Sequence, residues 1–476
     1  MKMKRDKERN LLLITFDQWR GDWGNPYKPV VKLKNLTRLA YRGLTATRCY
    51  TSSPHCVPAR FSWLTGLEPS QMGVTENTEA WMPDDAPSFV RELQSKGWHT
   101  CLVGKTHWTP HNKAYDLRDN KGLLEKLGFD DLLEIGGPRA MRRLECALTE
   151  EWRRAGVLEQ HREDLEKRYG RGFNEQAWAV RETVLPNHLY PDIWVTRNAI
   201  QKITELPTDR PWLLWVSYCG PHEPFDTPKP WRGMHNNIIL PEAAKAGEWI
   251  KQQPKDSILK QTKDKWSDLL STESIEACRK DYADNLVLLD DQLGQIISAL
   301  NKRKDSKNTA ITVTSDHGEH LGDANCLYKG TFLESAIRVP LIYCEPHHWI
   351  RPKRPEIIDK PISLSKAIIL ISKLMQGAPE NKKLKFEMAK QDYVVSEFKD
   401  EIAIIKGDLK MISKRSGEII WATKPIKDKE EAINILATGR NIQKNKKFIY
   451  LREALKLELD KRNSAQWLWR DLKDQS

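Results

Sequence analysis

Four times along this chain an apolar run ends in a polar cluster, and that recurrence limits the possible folds more than any other feature. Residues 11–16 end at Asp17-Gln18, 99–103 precede Gly104-Lys105, 212–218 precede Gly220-Pro221-His222, and 309–314 precede Asp316-His317. A continuous run of Leu, Ile and Val at this length fits a strand buried on both faces, as in a parallel sheet covered by helices. Amphipathic helical stretches precede the last three runs, over 88–95, 193–205 and 282–301. Strand and helix therefore alternate, which predicts an α/β fold with a mostly parallel central sheet flanked by helices. In such sheets ligands gather at the carboxyl ends of the strands, where all four polar clusters fall.

At 476 residues the chain exceeds one typical domain. A boundary is expected at the Gly377-Ala378-Pro379 break after the helical stretch 363–375, dividing a larger unit (1–377) from a smaller one (378–476). Short strands at 393–398, 402–405, 410–413 and 418–422 alternate with turns at Lys406-Gly407-Asp408 and Arg415-Ser416-Gly417, and a closing helix follows. That pattern predicts a small antiparallel α+β domain. Two charged segments interrupt the larger unit. Residues 138–184 are predicted as a helical insertion, either a lid or a surface excursion, and 241–274 are Lys-rich with helical tendency.

Charged residues make up 30% and hydrophobic residues 39%, the balance of a globular chain. No apolar run approaches the roughly 18 residues of a spanning helix, and 11–16 is too short for a signal-peptide core, so no membrane segment or export signal is expected. Eight cysteines lie scattered without C-x-x-C spacing, which suggests neither a zinc site nor a disulfide framework. The expected compartment is a reducing cytoplasm. A net charge of +12 suits nucleic acid or an anionic substrate, but the excess is concentrated in stretches such as 382–390 and 444–447 and no nucleic-acid motif accompanies it. A solvated surface is expected there, and no nucleic-acid partner.

Cys56-Val57-Pro58-Ala59-Arg60, followed by Leu64-Thr65-Gly66, sets one cysteine in a fixed Pro/Arg frame. The bland alternative is a cysteine in an ordinary Pro-containing loop. C-x-P-x-R with a following T-G resembles the signal by which sulfatases have a cysteine oxidised to formylglycine, an aldehyde whose hydrate is a nucleophile. A thiol is a soft ligand for a hard cation, whereas a geminal diol is an oxygen donor. Asp17, Gln18, Asp316, His317 and a modified Cys56 together would surround one divalent cation. That mixture is hard in character, so Ca2+, Mg2+ or Mn2+ fit better than zinc, and the imidazole tilts it toward Mn2+ relative to an all-oxygen site. Arg60, Lys105 and Lys329 form a cationic set, with His107 and His222 among them. Cations aimed at the oxygens of a tetrahedral ester stabilise charge growing in the transition state, and a histidine near the leaving oxygen can supply its proton.

The chain resembles a type I, formylglycine-dependent sulfatase of the alkaline-phosphatase-like superfamily. The matching elements are Asp17-Gln18, Cys56 to Arg60 with Leu64-Thr65-Gly66, Gly104-Lys105-Thr106-His107, and Gly220-Pro221-His222-Glu223-Pro224. Ser315-Asp316-His317-Gly318-Glu319 and Lys329-Gly330 with Glu334 and Arg338-Val339-Pro340-Leu341 complete them, in the family's order. The resemblance implies an alkaline-phosphatase-like fold and hydrolysis of a sulfate monoester through formylglycine (3-oxoalanine) derived from Cys56. It implies Asp17, Gln18, Cys56, Asp316 and His317 as metal ligands, with Ca2+ foremost and Mn2+ or Mg2+ as alternatives. Arg60 would steady the formylglycine, Lys105 and Lys329 hold the sulfate, His107 serve the hemiacetal step, and His222 protonate the leaving alcohol. The implied partners are a small-molecule or sugar sulfate ester and a formylglycine-generating maturase. Gln18 and His317 stand where the family has a second acid and an asparagine. That pair also occurs in related phosphonate monoester and phosphodiester hydrolases, which usually lack the counterparts of Lys105 and His107. Sulfate is therefore favoured, phosphonate or phosphodiester is the alternative, and a non-catalytic anion-binding protein is the third reading. Trp108 and Phe225 stand beside the motifs, as either stacking or packing residues.

Overall fold

The computed structural model describes residues 9–78, 80–111, 114–170, 177–346, 354–377, 381–438 and 442–470. The proposed break at Ala378-Pro379 and part of the predicted insertion, 171–176, lie outside the described residues. The large sheet holds β1 (Asn10–Asp17), β2 (Leu44–Tyr50), β3 (His99–Lys105), β4 (Asp131–Ile135), β5 (Trp212–Pro221), β6 (Thr309–Ser315), β7 (Arg338–Cys344), β8 (Glu356–Ile358) and β9 (Ile362–Ser363). Their order is β4-β3-β5-β1-β6-β7-β2-β8, with β9 also beside β2. β1 lies at the centre, parallel to β5 and β6, and β3 continues the parallel set, while β7 runs antiparallel to both β6 and β2. The sheet is therefore mostly parallel, as expected.

Every residue of β1 is buried because helices cover both faces. Leu12, Ile14 and Phe16 join the core formed with the helices Pro191–Glu205 and Thr272–Asn301, whereas Leu11 and Leu13 face the helices Cys56–Thr65, Phe89–Ser95 and Leu364–Met375. This alternation is the two-residue period of a strand. Strands β2, β4 and β7 carry weaker signals. β4 is a short edge strand with three half-buried residues. β7 contains Pro340, which argues against a central strand. It is accommodated where the β2–β7 register slips between Ala46 and Cys49, a bulge that leaves Pro340 opposite no ladder partner.

The smaller sheet is an antiparallel meander of β10 (Val394–Phe398), β11 (Glu401–Lys406), β12 (Leu409–Lys414) and β13 (Ile419–Thr423). One face, including Ile402, Ile404 and Met411, packs under the closing helix Lys446–Asn463. The other, including Ala403, Ile412 and Trp421, is continuous with the main core. Within the predicted insertion, the helices Ala147–Arg154 and Leu158–Tyr169 bury Leu148, Trp152, Leu158 and Leu165, and Trp152 Nε1 donates to the Leu189 carbonyl at 2.9 Å. The segment thus packs on the body of the protein. In 241–274 the helix is confined to a short 3-10 turn, Glu248–Gln252, the helix Ile258–Trp266 and the start of the long helix.

Candidate active site

Strand register gathers the polar clusters at one edge of the large sheet. Asp17 sits opposite Pro221, Phe16 opposite Ser315, and Gly104 opposite Ser217, so Asp17, Lys105, His222 and Asp316 leave their strands together. Cys56 is the first residue of the helix Cys56–Thr65, whose N-terminal N–H groups carry partial positive charge toward it. Pro58 in the first turn has no helical acceptor to lose. Gly66 closes the helix in the left-handed region at φ 73, donating to the Ser62 carbonyl at 2.8 Å, and a Cβ there would meet Ile369 at 2.8 Å. Those are the physical demands behind C-x-P-x-R and T-G.

Asp17, Cys56, Asp316 and His317, all buried, offer donor atoms within 4.8 Å of one another. The Nδ1–H of His317 donates to the Gly318 carbonyl at 3.0 Å, which directs its Nε2 lone pair inward, 3.0 Å from Cys56 Sγ and 3.6 Å from oxygens of Asp17 and Asp316. Two carboxylate oxygens, one imidazole and the residue-56 position make a donor set that fits a hard divalent cation. Arg60 braces the carboxylates from behind. Its Nε donates to Asp316 at 2.7 Å, one Nη to the Lys105 carbonyl at 2.8 Å, and the other lies 3.5 Å from Asp17. Burial alone would raise the Asp17 carboxyl, but Lys105, His222 and Arg60 outweigh it and the acid is held far below its ordinary value. Burial would likewise raise the Cys56 thiol, yet Lys329, Lys105 and His317 pull it well below the usual range.

Gln18 stands in the left-handed region at φ 72, an unusual place for a non-glycine residue and a sign of functional constraint. Its backbone N–H donates to Asp316 at 3.0 Å, and its side-chain amide donates to Glu223 at 2.7 Å and to Glu319 while accepting from Lys329. The structure therefore spreads Gln18 between the metal-type cluster and two further buried acids. Glu319 is pushed up to about 7 by burial and then by Glu223. In Glu223 the upward push of burial is overcome by Arg139 and His222, and its carboxyl lies below its usual value. Glu223, Glu319 and Arg139 were not singled out as site residues in the sequence. Glu223 directly follows His222 and Glu319 lies two residues after His317, but Arg139 arrives from the start of the insertion and carries no sequence signal.

Cys56, Lys105, His107, His222 and Lys329 share one cavity of about 410 Å3, whereas Arg60 is not part of its wall. His107, also left-handed at φ 62, faces the Cys56 thiol, and its pKa falls to about 4, chiefly through burial. The Nδ1–H of His222 donates to the Glu223 carbonyl at 2.8 Å, which leaves its other ring nitrogen for the cavity it lines. Trp108 and Phe225 are buried in the core, each 1% exposed, and they are packing residues. All eight cysteines are free and buried, and no helix among the described residues is long and apolar enough to cross a membrane.

Residues 9–377 match the family model described as "Sulfatase". An arylsulfatase of Clostridium perfringens is 26% identical over 365 residues, covering 75% of this chain and 72% of that protein. A choline-sulfatase of Rhizobium meliloti is 26% identical over 347 residues, covering 71% of this chain and 62% of that protein. The crystal structure of a phosphonate monoester hydrolase of Agrobacterium radiobacter superimposes with TM-score 0.72 at 22% identity, covering 97% of this chain and 96% of that one. The fold is thus of the sulfatase and alkaline-phosphatase-like type.

Proposed function

This chain belongs to the sulfatase family, and from that premise we propose that it hydrolyses a sulfate monoester, with Cys56 matured to formylglycine and one divalent cation held by Asp17, Gln18, Cys56, Asp316 and His317. Ca2+ is the leading assignment, with Mn2+ or Mg2+ as alternatives. One observation carries the reading: Cys56 belongs both to the four-residue buried donor cluster and to the cavity wall that presents Lys105, Lys329, His107 and His222.

The formylglycine hydrate would supply an oxygen nucleophile for sulfur, and the cation would offset charge around it. Lys105 and Lys329 hold the non-bridging oxygens and counter the charge that grows on them as the ester bond breaks. His222, oriented through Nδ1 by the Glu223 carbonyl, gives its other proton to the leaving alcohol. His107, kept low at about 4 mainly by burial, is neutral near pH 7 and suited to accept a proton at residue 56. Arg60 keeps Asp17, Asp316 and the Lys105 backbone in register. The second reading, hydrolysis of a phosphonate monoester or phosphodiester, is favoured by Gln18, His317 and the fold likeness, and opposed by Lys105 and His107.

The test is the mass of the Cys56 peptide from protein made beside a formylglycine-generating maturase, followed by rates on aryl sulfate and aryl phosphonate esters. Formylglycine with faster sulfate turnover supports the proposal. Faster phosphonate turnover moves the chain to the second reading. An unmodified thiol with no turnover leaves an anion-binding protein.

A further inference from the structure

The cavity at Cys56 carries more positive charge than one sulfate monoester requires. Its wall includes five cationic side chains, Lys105, Lys329, Arg139, Arg142 and Arg143, and among the described residues it includes no carboxylate, no Phe, Tyr or Trp ring and no large aliphatic side chain. The two lysines stand beside Cys56. The three arginines come from one short stretch that is seated on the site by its backbone. Gly137 lies so close to Lys105 that a Cβ there would come within 3.1 Å of Nζ. Met141 N–H then donates to the Gly137 carbonyl at 3.1 Å, and Arg143 N–H to the Ala140 carbonyl at 2.9 Å, so 137–143 forms a compact turn.

Two of the three arginines already have acidic partners. Arg139 pairs with Glu223, with its guanidinium carbon 4.6 Å from the ring centroids of both Tyr169 and Tyr328. Arg142 Nε lies 3.0 Å from Glu166. Arg143 is exposed and has no ion pair among the described residues. Burial lowers the Arg142 pKa; Glu166 opposes this, and the neighbouring Arg143 and Arg139 add to it. On the neighbouring wall His111 stacks on His107 with ring centroids 4.1 Å apart and 15° between planes, and its buried Nε2 has no hydrogen-bond partner among the described residues.

We propose that the stretch 139–143 forms a second anion subsite, with Arg143 as its main contact and Arg142 and His111 beside it. The preferred substrate is then a sulfate ester whose alcohol bears another fixed anion, a sulfate or a carboxylate. This rests on the sulfatase reading of the same cavity. Arg143 carries a charge that the ester under hydrolysis does not use, in a recess where a planar guanidinium can hold a second oxyanion through paired N–H groups. A cationic alcohol would be repelled there, and an aryl group would find no Phe, Tyr or Trp side chain in the wall to stack on.

The test measures kcat/KM of the matured, metal-loaded enzyme on a monosulfated hexose, a disulfated hexose and a monosulfated hexuronate, with choline sulfate and an aryl sulfate as comparators. Either or both dianions should exceed the monosulfated hexose by on the order of tenfold, the worth of one charged hydrogen-bonded contact. Preference for the disulfate alone assigns the subsite to sulfate, for the hexuronate alone to carboxylate, and an equal gain to either anion. In Arg143→Gln the dianion-to-monoanion ratio should fall toward one, chiefly through KM, and Arg143→Lys should restore part of it. A ratio unmoved by Arg143→Gln, or faster turnover of choline sulfate or the aryl ester than of both dianions, overturns the subsite and leaves the sulfatase reading standing. If no sulfate ester is cleaved by enzyme shown to carry formylglycine, that reading fails and the subsite with it.

Discussion

Two regions of this molecule bury a lysine against carboxylates and treat it in opposite ways. At the junction of the two sheets, Lys410 of β12 is fully buried, and its Nζ donates to the Phe332 carbonyl at 2.6 Å and lies 3.2 Å from Glu334 and 2.6 Å from Glu431. Three N–H groups meet three acceptors. At the carboxyl edge of the large sheet, Lys105 meets Asp17 but also opens onto the cavity. Around it, Gln18 and His107 hold left-handed backbones, and Arg60 Nη2 and His107 Nδ1 have no hydrogen-bond partner among the described residues. A closed network of buried charge acts as a joint. One left open beside strained backbone keeps its charge available for a ligand.

The sharpest challenge to that contrast is Cys56→Ala. It should reduce turnover by about 10^4-fold or more, as loss of a nucleophile does, with little change in thermal unfolding; retained sulfatase activity would remove the basis of the comparison. Next comes Lys410→Met, which strands Glu334 and Glu431 without their cation and should cost about 3–5 kcal/mol in chemical denaturation while the folded enzyme keeps its kcat. Lys105→Ala should do the reverse, lowering kcat by about 10^2–10^3-fold, the worth of one preorganised charge-stabilising donor. If Lys105→Ala mainly unfolds the protein, or Lys410→Met mainly slows it, the two roles are misassigned.

The smallest effect is a pH dependence confined to the smaller sheet. Burial pushes the Glu401 carboxyl up to about 7, and one of its oxygens accepts from the Ile258 N–H at 2.7 Å. Its ordinary value is about 4.3. Between these values the folded state binds the extra proton, so this contribution to stability is complete below about pH 4.3 and is lost as pH rises through about 7. Glu401→Gln should flatten the fall in unfolding midpoint between pH 5 and 8 and leave the pH profile of kcat unaltered. An equal fall in the variant would assign the dependence to other groups.

Much of the larger region was legible because one physical rule wrote it repeatedly. A strand buried on both faces must be apolar throughout, so β1, β3, β5 and β6 stood out, and the polar residues at their ends fell at one edge of the sheet. The meander of the smaller sheet was legible from its turns. β2, β4 and β7 were not, because half-exposed edges and a bulged proline dilute the strand signal. Cys56, Lys105, His107, His222 and Lys329 were all foreseen as site residues, and the structure brings them to one cavity. Arg60 was also foreseen but braces from behind, and Gln18 divides its amide between Glu223, Glu319 and Lys329.

By itself the sequence determined the strand-helix alternation, the residue types at the strand ends and the Cys56 frame, since periodicity, turn chemistry and a short motif are local properties. Only the tertiary structure decided which charges meet. Arg139, Arg142 and Arg143 read along the chain as part of a charged helical insertion, either a lid or a surface excursion; packing of Gly137 against Lys105 makes them a wall of the cavity. Lys410 reads as the first residue of a short strand with no partner named, until the fold buries it between Glu334 and Glu431. A charge's cost and use depend on the partners and water around it, and these are set by contacts between residues distant in the chain.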